Sequence, residues 1–159
     1  MKSVCIQLAR WAAVAAAVLS LFLMFGNDPI SSAEADAVAQ AVTQTLDMEN
    51  MLPGDSKMIR RFYGLDPTAY EACILYYPTT NMMAEELLIV KLRDVSQQEA
   101  VKAAVEKRIQ TQKNTFEGYG VEQFALLSNN AVVELRGNYV LFVVNADCAK
   151  ARDAFADAL

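Results

Sequence analysis

Glu85 and Glu86 stand side by side in "MMAEELLIVKL", and a pair of carboxylates is the usual starting point for acid–base chemistry. Adjacent residues of a strand point to opposite faces, so these two cannot address one substrate. Solvation at the entry of a strand accounts for them. Glu117 and Glu122 flank the glycine loop "GYG" and could hold a cation together with backbone carbonyls. Calcium loops gather more acids in a shorter span, so no metal site is expected. The triplet "GYG" matches the centre of a potassium filter, but a filter needs pore helices that this chain lacks. Histidine is absent, which removes the commonest general base and metal ligand. Serine or threonine nucleophiles then lack an activating base, and no S-x-x-K pattern follows residue 30. No catalytic residue and no cofactor is predicted, and an enzyme is the weaker class of reading.

Cys5, Cys73 and Cys148 form no C-x-x-C pair, so zinc and thioredoxin-type sites have no support. Cys73 and Cys148 read as two buried thiols, with a disulfide the alternative. The one basic cluster, "KMIRRFYG", mixes Lys57, Arg60 and Arg61 with aromatics. Helical spacing turns Ile59, Phe62 and Tyr63 inward and leaves the cations in water. With a net charge of −5, no nucleic-acid partner is expected.

The elements that must carry these residues begin behind an N-terminal segment. An apolar run from Trp11 to Phe25 follows Lys2 and Arg10 and precedes Asp28, Glu34 and Asp36. It reads as a signal peptide or single membrane anchor, with the chain beyond it outside the cytoplasm. The bilayer is thus an expected partner through Trp11–Phe25. Ser31-Ser32-Ala33 would suit signal peptidase, but Ser31 and Glu34 also spell a capping box for the next helix. That favours an uncleaved anchor, with a secreted domain as the alternative. The division is residues 1–30 as signal or anchor and 31–159 as one extracytoplasmic domain.

Within that domain Ala35, Val38, Ala39, Val42 and Leu46 form an apolar helical stripe. "NMLPGDS" reads as a break, with Asp55 or Ser56 capping a short helix that ends near Gly64. Asp66 and Pro67 open a turn. "YEACILYYP" and "EELLIVKLRD" are strands joined by "TTNMMA". Ser96 and Glu99 cap the longest helix, which runs to about Thr115 with Val101, Val105, Ile109 and Phe116 inward. Gly118 stops it, Gly120 turns the chain, and "VEQFALL" is a short helix. "AVVELRGNYVLFVV" is a hairpin about Gly137-Asn138. Its register pairs Val133 with Phe142 and Leu135 with Val140 on one face, and Val132 with Val143 and Glu134 with Leu141 on the other. Asn145 or Asp147 caps a last helix. The expected fold is α+β, a four-stranded antiparallel sheet from two strand-strand-helix units with helices mainly on one face.

Two surfaces offer themselves for binding. One is the corner loop Phe116, Glu117, Gly118, Tyr119 and Gly120, with Tyr119 exposed. The other is the far sheet face with Glu134, Tyr139, Leu141 and Val143, too apolar to stand in water unless the first helix or a partner covers it.

The strings "FYGLDP", "YYPTTNMMAEELLIVKL", "KRIQTQKNTFEGYGVEQFALL" and "RGNYVLFVV" resemble a bacterial envelope-protein family known only as domain of unknown function number 4358. The resemblance spans Ala33 to Leu159. It implies a small envelope domain behind a signal or anchor, and it carries over no catalytic residue. The resulting reading is an extracytoplasmic interaction module, membrane-anchored or secreted, with an envelope protein or glycan as partner. The alternative is an accessory or enzyme acting on surface glycans, for example beside a polysaccharide O-acyltransferase system.

Overall fold

The computed structural model describes residues 29–159, so the expected segment Trp11–Phe25 lies outside the described residues. The described chain runs α1 (Ala35–Thr43), β1 (Met51–Gly54), α2 (Ser56–Tyr63), β2 (Ala72–Pro78), β3 (Glu86–Lys91), α3 (Gln98–Phe116), α4 (Val121–Asn129), β4 (Ala131–Arg136), β5 (Tyr139–Val144) and α5 (Cys148–Asp157). The five strands form one antiparallel sheet in the order β1-β2-β3-β5-β4. Among the described residues no helix is long and apolar enough to cross a membrane.

The class is α+β as expected, but two features differ from the sequence reading. The sheet has a fifth strand, β1, inside the "NMLPGDS" segment. Pro53 is tolerated there because β1 is an edge strand, where a missing N–H costs no ladder bond on the open side. Gly54 lies against Leu75, whose side chain would stand 2.5 Å from a Cβ at that position. The helices also cover both faces rather than mainly one. α2, α3 and α4 pack over Leu75, Leu88, Val90, Val140, Phe142 and Val144. α1 and α5 pack over Leu87, Ile89, Tyr139, Leu141 and Val143. The cause lies in the central strands: every residue of β3 and β5 is buried, and a strand apolar on both sides needs a layer on each.

Several local signals act as expected. Asp55 accepts from the Met58 N–H at 2.9 Å at the start of α2, and Gly64 ends it in the left-handed region at φ 70°. The β4–β5 register is the predicted one, with Val133 opposite Phe142 and Leu135 opposite Val140 about the Gly137-Asn138 turn. Two caps are corrected. The long helix is entered through a short 3-10 turn with Asp94 and Gln97 as the capping box, instead of Ser96 and Glu99. Ser31 does not cap α1. Its hydroxyl donates to the Leu159 carbonyl at 3.0 Å, while its backbone exchanges two bonds with the Asn138 side chain, at 2.8 and 3.1 Å. The start of the described chain is thereby tied to the hairpin turn and to the last residue.

Cys73 packs on the α2–α3 side of the sheet and Cys148 on the α1–α5 side, both as free thiols. The sheet stands between them, which corrects the disulfide alternative. Burial holds the Cys73 thiol up at about 12.

Phe142 is wholly buried and Val133 only half-buried at the sheet edge. Phe142→Asp should therefore abolish the cooperative thermal transition, since an unpaired buried carboxylate costs several kcal/mol of a total near 5–15 kcal/mol. Val133→Asp should lower the melting temperature while leaving a cooperative transition. Equal melting of the two variants would contradict the observed register.

Candidate functional site

β3 opens with a charged residue on a buried face. The two-residue period of the strand places Glu86 on the same side as Leu88 and Val90, under α2 and α3. Its side chain is fully buried, so the carboxylate must be compensated within the protein. Arg108 of α3 does most of this. Its Nη2 donates to Oε2 at 2.8 Å, and its Nε approaches both oxygens at 3.2 Å. Gln112, one helical turn on, donates Nε2 to Oε2 at 2.9 Å. Tyr63, the last residue of α2, donates its hydroxyl to Oε1. Burial, then the neighbouring Glu86 charge, pushes the Tyr63 phenol well above its ordinary range, so it stays a donor.

The Arg108 guanidinium also lies 4.2 Å from the centre of the Phe62 ring, a cation–π contact. Phe62 in turn meets Tyr77 edge to face at 5.6 Å. Arginine is thus fixed on one edge by a carboxylate and on one face by an aromatic ring. It forms part of the wall of a cavity of about 330 Å³ between α2, α3 and the loop from β2 to β3. Met58, Phe62, Tyr77 and Phe116 supply its apolar side, and Arg61, Thr79, Thr80, Asn81 and Thr115 its polar side. Gln123 of α4 holds the loop by accepting from the Ala84 N–H at 2.8 Å. No acidic residue lines this cavity, although the whole chain is acidic.

The residues singled out from the sequence fall elsewhere. Gly118 is left-handed at φ 89°, as the helix stop requires. Gly120 has φ −99°, and a Cβ there would stand 2.5 Å from Phe116, so close approach is what requires glycine. Phe116 is buried, and Tyr119 is 61% exposed with its ring 6.2 Å from that of Phe116. Glu117 is exposed beside a shallow hollow shared with Val121 and Phe124. Of the five loop residues only Phe116 also lines the Arg108 cavity. The far sheet face is not a free contact surface. Tyr139, Leu141 and Val143 are wholly buried under α1 and α5, and Glu134 is half-buried and paired with Arg136 at 3.1 Å. The two carboxylates do diverge, but solvation does not explain Glu86, which is among the most buried side chains of the fold. Among the described residues no group of three or more acids and cysteines could hold a metal ion.

The chain matches the model of one family, Domain of unknown function (DUF4358), over residues 44–145. It belongs to this family. The matched stretch holds every residue that lines the Arg108 cavity, together with Tyr63 and Glu86. It leaves out α1 and α5, the layer on the opposite face. No curated protein and no solved structure matches the chain.

The DUF4358 domain therefore places its buried charge where sequence reasoning saw only surface. One signal was available. Val101, Val105, Ile109, Gln112 and Phe116 follow helical spacing, so a polar Gln112 sits in the buried stripe of α3 and calls for a partner. Arg108→Met should cost about 3–5 kcal/mol in urea unfolding, because it strands a buried carboxylate. Glu86→Leu combined with Arg108→Met should recover most of that loss. A single-variant cost below about 1 kcal/mol, the level of an exposed pair, would show that the ion pair is not formed in solution.

Proposed function

We propose that this DUF4358 protein is a ligand-binding module of the bacterial cell envelope, and that the Arg108 cavity is its binding site. The domain is held outside the membrane by an uncleaved anchor through Trp11–Phe25. The charge pattern around that run supports this orientation. The bonds of Ser31 to Asn138 and Leu159 support its retention, since a cut after Ala33 would remove all of them. Secretion after cleavage upstream of Ser31 is compatible with the same bonds.

The observation that carries the binding reading is the fixed guanidinium. A buried ion pair is commonly no more stabilising than apolar residues of equal volume, so stability alone does not account for Glu86 and Arg108. Holding a cation ready at a cavity wall does account for them, because little ordering cost is left for the ligand to meet. The chemistry available is recognition. Glu86 is wholly engaged, the Tyr63 phenol is held protonated, and no carboxylate lines the cavity to activate a nucleophile there. An anion with an apolar body fits the two arginines and the aromatic side.

Met58 and Met83 line the cavity and report on it directly. In the full chain in detergent micelles, with methionine methyls labelled, benzoate should move the Met58 and Met83 signals and leave exposed Met82 unmoved. Benzyl alcohol and benzylamine should have little effect. Equal shifts with benzylamine, or none with benzoate, would overturn the assignment of this cavity.

A further inference from the structure

Resting on that reading, we infer that the ligand is a polyhydroxy acid: a carboxylate whose neighbouring carbons carry hydroxyls, as in a sugar acid. Two observations in the same cavity point there independently.

The first is the edge of Arg108 that remains. A guanidinium has two edges that can grip a carboxylate with paired N–H groups. Glu86 takes the edge formed by Nε and Nη2. Nη1 and the second hydrogen of Nη2 form the other edge, which the bonds to Glu86 leave unused. The Arg108 side chain is 14% exposed, and Arg108 lines the cavity, so this edge is within reach of a ligand. A carboxylate there meets two parallel donors, with exposed Arg61 adding charge at the rim.

The second is an orphan acceptor. Gln112 also lines the cavity, is 95% buried, and has an Oε1 without any partner. Exchanging its amide atoms does not help, because an oxygen would then face the Glu86 carboxylate. The amide is therefore locked with its donor toward Glu86 and its acceptor unsatisfied until a donor arrives. An anion alone brings only acceptors. A hydroxyl near the carboxylate brings the donor, and Thr79, Thr80, Asn81 and Thr115 provide further groups for a hydroxylated body. A fatty acid would leave the Gln112 acceptor unpaired. A nucleotide would bring more negative charge than the two arginines match.

Ring acids that differ only in hydroxyls test this. Glucuronate, cyclohexanecarboxylate and glucose are titrated into the full-length protein in micelles, read by the Met58 and Met83 methyls. Glucuronate should bind at least about tenfold more tightly than cyclohexanecarboxylate, the equivalent of about 1.4 kcal/mol. Glucose should bind weakly. Gln112→Met should shrink the gap between glucuronate and cyclohexanecarboxylate to within about twofold, by the same arithmetic. A tetragalacturonate arm separates sources: tighter binding than the monomer marks a polysaccharide, and weaker binding marks a free sugar acid. If cyclohexanecarboxylate matches glucuronate in the unaltered protein, the polyhydroxy inference is wrong while the anion-binding reading stands. Equal binding of glucose and glucuronate also overturns it. If neither these acids nor benzoate binds, both readings fall.

Discussion

A carboxylate with no access to water, at the first residue of a central strand, sets the constraint that the rest of the domain answers. A buried carboxylate needs hydrogen-bond donors, and Glu86 takes them from two helices at once. Tyr63 comes from the end of α2, and Arg108 and Gln112 come from successive turns of α3. Meeting that demand fixes both helices against β3 and leaves the cavity between them. The adjoining cation–π contact with Phe62 completes the positioning of the arginine.

The two faces of the sheet divide the work. The α1–α5 face is apolar throughout its middle and closes the core under the hairpin. Its polar contacts lie at the margin, where Lys91 pairs with Glu71 and Ser31 with Asn138. The α2–α3 face gives up part of its apolar burial to house a charge. That asymmetry fits the family match, which spans the charged face and omits both helices of the other. A scaffold layer on one side and a recognition layer on the other is the division we propose.

Local signals in the sequence translated into structure wherever a few neighbouring residues decide the conformation. The Gly137-Asn138 turn with its alternating flanks set the hairpin register, and Asp55, Asp66 with Pro67, and Gly118 marked boundaries that the chain observes. β1 escaped notice because Pro53 and Gly54 read as a break, and only pairing with β2 makes them a strand. The site escaped for a related reason. Arg108 and Gln112 lie 22 and 26 residues from Glu86; Glu86 and Arg108 each look like surface in their own element, and Gln112 in the buried stripe does not say which partner it needs. Only the crossing of α3 over β3 turns them into partners. The "FEGYG" corner showed the opposite error, since its unusual composition serves the turn: left-handed geometry at Gly118 and room for Phe116 beside Gly120.

Arg108 is held still, on one edge by Glu86 and on one face by Phe62. Guanidinium dynamics measure this most directly, by ¹⁵N NMR of arginine side chains in the full chain. Arg108 should show a slowly exchanging Nε–H and arrested rotation about its Nε–Cζ bond, both lost in Glu86→Gln, while exposed Arg61 exchanges and rotates freely. An Arg108 signal averaged like that of Arg61 would contradict it.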